Sequence, residues 1–270
     1  MFKISVLFAD SPIMEPTKIA PGFEASEIPA GKLIDPLMTN HDWETRKKEI
    51  LSWGMPQMFV SSHWMNAPCN TPDADWEALE FFTKRTLKRL GEMGVKTAGI
   101  YGKFFRKAET EKAMQDAISY ATFLGDEAAK YNMNIALEPM ADPDSLFPTY
   151  AKGLEFARLV DHPNVKLMAD LNYFLRNKES FDILKEDPSW NLHCHIAGRS
   201  ERGGAQPNVG EYREIHKEFF RVLRDTHFEG AVSCACPWIN TGTGDFDLTQ
   251  ETAKTLNYLK ELRNEVYNEK

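Results

Sequence analysis

Short apolar runs alternate along the chain with longer stretches of helical period. The apolar runs are Lys3–Phe8, Phe23–Ile28, Gln57–Ser61, Val95–Tyr101, Met133–Leu137, Val165–Ala169, Leu192–Ile196 and Ala231–Cys236. Between them lie helix-like segments at Trp43–Trp53, Asp75–Met93, Glu109–Tyr131, Tyr150–Val160, Glu211–Asp225 and Leu248–Tyr267. In Asp75–Met93 the residues Trp76, Leu79, Phe82, Leu87 and Leu90 share one face, as a helix packed on a sheet requires. Gly54, Gly94 and Gly230 stand where a helix would end before the next strand. This rhythm predicts repeated strand–helix units and a parallel sheet. Eight such runs in this length predict an α/β fold, a closed (β/α)8 TIM barrel. An open doubly wound sheet is the alternative, but its Gly-rich first turn is missing. The first run leads instead into Asp10-Ser11-Pro12-Ile13-Met14. The second and third strands are the weakest marked.

With 270 residues, 42% of them hydrophobic, the chain can bury a full core. No compositional break suggests a linker, so one domain over residues 1–270 is expected. Acidic residues number 40 against 32 basic, a formal charge of −8. That balance argues against nucleic acid, where a basic face supplies most of the affinity, and against a polybasic membrane contact. No apolar run approaches the ~20 residues of a membrane span. The N-terminal residues lack the pattern of a secretory signal. Four cysteines are too sparse for a disulfide framework. A reduced, cytoplasmic protein is the expectation.

A barrel carries its chemistry at the C-terminal ends of its strands. Polar residues there are Asp10, Glu27, His63, Tyr101, Lys103, Glu138, Asp170, His193 and His195, with Cys236 closing the last run. A carboxylate at the end of a buried strand is costly unless it is paired or bound to a metal. For Asp10 and Glu27 a salt bridge or helix cap would suffice. Glu138, Asp170 and a histidine from consecutive strands instead predict a metal site, and mixed oxygen and nitrogen donors suit Zn²⁺ or Mn²⁺. His193 and His195 lie two apart and face the same way. His195, nearer the strand end, is the better placed ligand; His193 reads as a buried, hydrogen-bonded residue of a deeper layer. His63 and Glu27 are candidate substrate contacts.

Several short motifs carry a resemblance over nearly the whole chain. They are Ile135-Ala136-Leu137-Glu138-Pro139, Met168-Ala169-Asp170 and His193-Cys194-His195-Ile196, followed by Arg202, Pro207, Gly210 and Phe228-Glu229-Gly230-Ala231-Val232-Ser233. In this order they resemble the xylose isomerase-like TIM barrels, a superfamily of sugar isomerases and epimerases that also holds inosose dehydratases and endonuclease IV-type nucleases. The resemblance to ketose 3-epimerases implies one divalent metal, usually Mn²⁺, held by Glu, Asp, His and Glu. The first three fall on Glu138, Asp170 and His195. It also implies an arginine contact to substrate, best matched by Arg202 and less well by Arg199. A histidine three residues after the Asp is replaced here by Tyr173, whose phenol can still bind a sugar hydroxyl. The fourth ligand, a Glu before Pro in the last strand, is absent. Aligning on the proline puts Cys236 there, and aligning on Gly230 puts Ala235.

The resemblance thus implies a metal-dependent isomerase, epimerase or related lyase acting on a small keto-sugar or cyclic polyol through an enediolate, with Glu138 as ligand and base. Cys236 is a candidate acid or base, a candidate thiolate ligand that would favour Zn²⁺, or a small buried hydrophobe. The alternative is a sugar-binding barrel that lost turnover with its last carboxylate. A nuclease of the endonuclease IV kind needs more metal-binding histidines than the seven present. The expected partner is a small carbohydrate, non-phosphorylated because no Gly-rich phosphate cradle is evident. A homo-oligomer is open, since barrels of this kind are often dimers or tetramers. Asn172–Pro188 reads as a loop and short helix on the active-site side, with Arg176, Lys178 and Lys185 on a solvated face.

Overall fold

The structure, a computed structural model, describes residues 1–7, 16–54, 58–61 and 67–269. Ten strands occur in this part of the chain: β1 (Lys3–Leu7), β2 (Ala25–Pro29), β3 (Met58–Ser61), β4 (Thr97–Tyr101), β5 (Asn134–Glu138), β6 (Val165–Asp170), β7 (Asn191–Ile196), β8 (Gly198–Ser200), β9 (Gly203–Ala205) and β10 (Ala231–Cys234). Eight of them pair in parallel in the order β1-β10-β7-β6-β5-β4-β3-β2 and close into a barrel. Closure is made by β1, which sets Ser5 beside both Ser233 of β10 and Ala25 of β2. The barrel is the predicted one, and each of the eight predicted runs overlaps one of its strands to within a residue or two.

The helices are α1 (Ala30–Leu33), α2 (Asn40–Ser52), α3 (Trp76–Glu92), α4 (Glu111–Ala129), α5 (Tyr150–Val160), α6 (Leu171–Asn177), α7 (Arg213–Asp225) and α8 (Leu248–Asn268). Most start where a short polar side chain takes up a free amide of the first turn. Asp75 accepts from Ala78 N, Thr110 from Ala113 N, Thr149 from Lys152 N and Asp247 from Gln250 N. These caps explain the offsets from the sequence pattern: Asp75 and Thr110 precede their helices and do not belong to them.

The hydrophobic core lies between the outer face of the barrel and the helices. Phe105, Phe147 and Phe156 pack together with ring centroids 5.3–5.6 Å apart, and Tyr120 of α4 bonds Thr83 of α3 through its hydroxyl at 2.7 Å. Arg263 of α8 donates to Phe2 O and to the Glu24 carboxylate, tying the last helix to the first strand. Among the described residues no helix is long and apolar enough to cross a membrane.

One element had no counterpart in the sequence pattern. β8 and β9 form a small antiparallel hairpin just after β7. Its strands are Gly198-Arg199-Ser200 and Gly203-Gly204-Ala205, with no apolar run to betray them. The segment after Asp170 folds as α6 and two 3-10 turns, Phe181–Lys185 and Pro188–Trp190, in keeping with the expected loop and short helix.

Candidate metal and substrate site

Strand register assembles the predicted ligand set. On β6 and β7, Asp170 stands opposite His195, and on β5 Glu138 ends its strand opposite Tyr101 of β4. Glu138, Asp170 and His195 are all buried, and each offers an atom within 4.8 Å of the other two. Imidazole Nδ1 of His195 lies 3.1 Å from Glu138 Oε1 and 3.4 Å from Asp170 Oδ2. Asp170 is divided between two tasks. Its Oδ1 caps α6 by accepting from Asn172 N at 2.7 Å, which leaves Oδ2 for the site.

Glu138 Oε2 is buried and has no hydrogen-bond partner among the described residues. An unpaired buried carboxylate oxygen is strongly unfavourable unless a cation or a proton meets it. Burial, opposed by His195 and reinforced by the charges of Asp170 and Glu27, pushes the Glu138 carboxyl up to about 7. Two carboxylates and an imidazole with donor atoms within 4.8 Å of one another, and one buried carboxylate oxygen still unpartnered, are the donor set of a divalent cation, and the residues present fit one.

On the far side of His195 lies a second buried cluster. Glu27 of β2 accepts from His193 Nε2–H at 2.7 Å and from His195 Nε2–H at 3.1 Å to each of its oxygens. Ser233 Oγ of β10 stands 3.1 Å from His193 Nε2. Burial alone would raise the Glu27 carboxyl, but the charges and hydrogen bonds of the two histidines hold it well below the usual range. Burial likewise opposes charge on His195, yet Glu27, Asp170 and Glu138 carry it well above the ordinary histidine value. A carboxylate can only accept, so in the metal-free protein both ring nitrogens of His195 carry protons, Nε2–H toward Glu27 and Nδ1–H toward Glu138 and Asp170. An ion would take the place of the Nδ1 proton while Glu27 keeps the other.

A cavity of about 390 Å³ opens over Glu138, Asp170 and His195 at the C-terminal ends of the strands. Its wall includes Tyr101, Lys103, Tyr173, Arg176 and Ala235. The Lys103 ammonium lies 5.5 Å from the centre of the Tyr101 ring. Burial and the neighbouring Glu138 and Asp170 charges raise the Tyr173 hydroxyl far above its ordinary value, so it stays a neutral hydrogen-bond donor.

The other expected site residues divide. Tyr173 is in the cavity wall. Glu27, expected to touch substrate, is 1% exposed, does not line the cavity and has both oxygens taken by histidines; it lies behind His195. Arg202 is exposed at the turn of the β8–β9 hairpin, outside this cavity. Of the three readings of Cys236, its position matches the small buried hydrophobe. Ala235 lines the cavity, while Cys236 is 4% exposed and packs in the hydrophobic core. The reason is strand alternation, for Ser233 points inward to His193, Ala235 follows two residues on, and Cys234 and Cys236 belong to the opposite, core-facing set. His63 and Asp10 lie outside the described residues.

Arg176 was assigned to a solvated face, yet it lines the cavity. The signal was available. Asp170 caps α6, so Tyr173 and Arg176, three apart on that helix, share a face.

The chain matches the profile of the family described as xylose isomerase-like TIM barrel over residues 20–262. No curated protein sequence matches it. Among solved structures it is similar to D-psicose 3-epimerase from Clostridium cellulolyticum H10, determined with D-tagatose. The TM-score is 0.80 at 20% identity, covering 97% of this chain and 99% of the other. It is similar also to D-allulose 3-epimerase from Methylomonas sp. in complex with D-allulose, with TM-score 0.71 and 15% identity over 96% of each chain. An L-ribulose 3-epimerase gives TM-score 0.73 at 13% identity, covering 99% of this chain and 96% of the other. At these identities the likeness is one of fold.

Proposed function

The chain belongs to the xylose isomerase-like TIM barrel family, and on that footing we propose that it is a divalent-metal-dependent isomerase or epimerase, or a related lyase, of a small keto-sugar or cyclic polyol. Glu138, Asp170 and His195 would hold the ion, Mn²⁺ or Zn²⁺ by donor type. The observation that carries this reading is the orphaned Glu138 Oε2 on the cavity floor, with His195 and Asp170 beside it. The similar epimerases support the substrate class, since two of them were determined with ketohexoses.

When bound, the ion supplies Lewis acidity toward the carbonyl and its neighbouring hydroxyl. The residues of the chain do the rest. Glu138 removes the proton α to the carbonyl and can return it. Glu27 holds His195 in the tautomer that faces the ligand set. Tyr173 donates its hydroxyl to a sugar oxygen from the wall. The last strand gives Ala235 to that wall in place of a second proton-transfer carboxylate. Asp170 has one oxygen committed to its helix cap, so Glu138 handles both proton transfers, on one face of the enediolate. That arrangement favours moving a proton between adjacent carbons, an aldose–ketose isomerisation, over inversion at one carbon.

The decisive test is metal content after purification without added metal, for the native protein and for Glu138→Gln, followed by hydrogen exchange of keto-sugars in D2O. One equivalent of Mn or Zn lost in the variant, with exchange at the α-carbon, is the expected result. Ala235 also favours a second reading, a barrel that binds sugars without converting them. Saturable sugar binding with no exchange at any carbon would select it.

A further inference from the structure

A second cavity, of about 360 Å³, adjoins the first. The two share Asn172 and Arg176 of α6, so Arg176 stands between them. The outer chamber is completed by Arg199, Gly203 and Gly204 of the hairpin and by Tyr212. It offers two guanidinium groups and a phenol, and among the described residues no carboxylate lines it.

Elsewhere most arginines have a partner: Arg85 and Arg89 donate to the main-chain carbonyls of Met38 and Asp35, and several others pair with carboxylates. Arg106 pairs with Asp144, Arg213 with Glu265, Arg221 with Glu269 and Arg263 with Glu24. Arg176 and Arg199 have no carboxylate at ion-pair distance among the described residues, in a protein of net charge −8. What distinguishes the chamber is that two such arginines face it together and give it a local positive charge.

The backbone that carries Arg199 is fixed. Its amide donates to Val209 O at 3.3 Å. A Cβ on Gly198 would come within 2.4 Å of Gln206 O, and one on Gly210 (φ +86°) within 2.1 Å of Arg199 O. Only glycine lets the hairpin and the following segment pass so closely. Arg199 is thereby held over the chamber opposite the short, capped helix that carries Arg176.

We propose that the substrate carries a terminal oxyanion, a phosphate monoester or a carboxylate, bound in the outer chamber by Arg176 and Arg199 while its keto end lies over Glu138, Asp170 and His195. Guanidinium forks bind such groups through paired, charge-assisted hydrogen bonds. Tyr212 can add a hydroxyl donor. The proposal rests on the isomerase reading for the keto end and replaces the expectation of a neutral sugar. It assigns Arg176 and Arg199, in place of Arg202, to substrate.

The test compares a neutral hexulose, its terminal phosphate ester and the matching terminal carboxylate, on the metal-loaded native protein and on Arg176→Gln and Arg199→Gln. Both arginines are exposed, so the variants should fold. The expected result is a preference of tenfold or more in kcat/KM for one oxyanion sugar over the neutral one, falling at least tenfold in each variant. Which oxyanion is favoured identifies the group. Equal rates for neutral and anionic sugars, or a preference unchanged in both variants, would overturn the proposal. If no sugar is turned over, calorimetric binding of the same three compounds decides. Tighter binding of an oxyanion sugar, lost in both variants, would uphold the chamber's role while the isomerase reading fell. Binding indifferent to the charge would remove the chamber's role.

Discussion

Glu27 reaches His195 from the far side of the barrel, with both carboxylate oxygens 3.1 Å from the imidazole Nε2. The two residues are 168 positions apart in the chain. Their contact fixes which nitrogen of His195 faces Glu138 and Asp170. A carboxylate behind a metal-binding histidine typically contributes ten- to a hundredfold in metal affinity. Glu27→Gln should therefore weaken Mn²⁺ or Zn²⁺ binding by roughly that factor, as read by calorimetric titration. An unchanged dissociation constant would show that Glu27 does no more than pair with His193.

The two alignments of the last strand make opposite claims about the neighbours Ala235 and Cys236. Ala235 lines the cavity, so Ala235→Glu is expected to supply the missing carboxylate and tighten metal binding by tenfold or more. Cys236 is in the core, so Cys236→Ala should leave metal affinity alone and lower stability by about 1–2 kcal/mol through lost packing. Equilibrium dialysis and urea denaturation measure the two effects. Loss of metal on Cys236→Ala would restore the thiol to the ligand set.

One base on one face leaves an isotopic record. In D2O, a proton carried by Glu138 from one carbon to the next should appear in part in the product, read by proton NMR. Complete deuterium incorporation with inversion at a single carbon would require a second acid in the cavity and return the reaction to epimerisation.

Glu138 should be indispensable to turnover. Glu138→Gln keeps the shape but removes both a ligand and the proton acceptor. Loss of general-base catalysis alone costs about 10²–10⁴-fold, so kcat should fall by at least that much. Full activity in the variant would remove Glu138 from the reaction.

His216 of α7 sets the acid limit of stability. Its Nε2–H donates to Ala197 O at 3.0 Å, and Nδ1 accepts from the Tyr258 hydroxyl at 2.8 Å, a pattern only the neutral ring can make. Burial lowers its pKa to about 4, against an ordinary value near 6.5. Between those values the unfolded chain holds a proton the folded one rejects, so stability falls as pH drops through the window. The loss between pH 7 and 5 is about 2 kcal/mol. Glu138 works in reverse in the metal-free protein: held up to about 7, it is protonated in the folded state first, and stability falls as pH rises from about 4.5 to 7. Urea denaturation of the native protein and of His216→Gln across this range separates the two, because only the His216 contribution disappears in the variant. Parallel curves would place the acid sensitivity elsewhere.

Local pattern carried much of this protein. Apolar runs broken by helical period implied the barrel, and the polar residues at the ends of β5, β6 and β7 implied the Glu138, Asp170 and His195 set. These features repeat every few residues and follow from strand and helix geometry alone. The hairpin after β7 was invisible, because its strands are built from glycine and polar residues and are fixed by the passage of another backbone segment. Only the closed barrel decided the rest. It put Glu27 behind His195 when the sequence left it among the substrate contacts, turned Ala235 toward the cavity and Cys236 toward the core, and joined Arg176 and Arg199 in one chamber. The reason is physical: a strand's own sequence sets the period of its side chains, but the register with its neighbours and the curvature of the closed sheet set what each side chain meets.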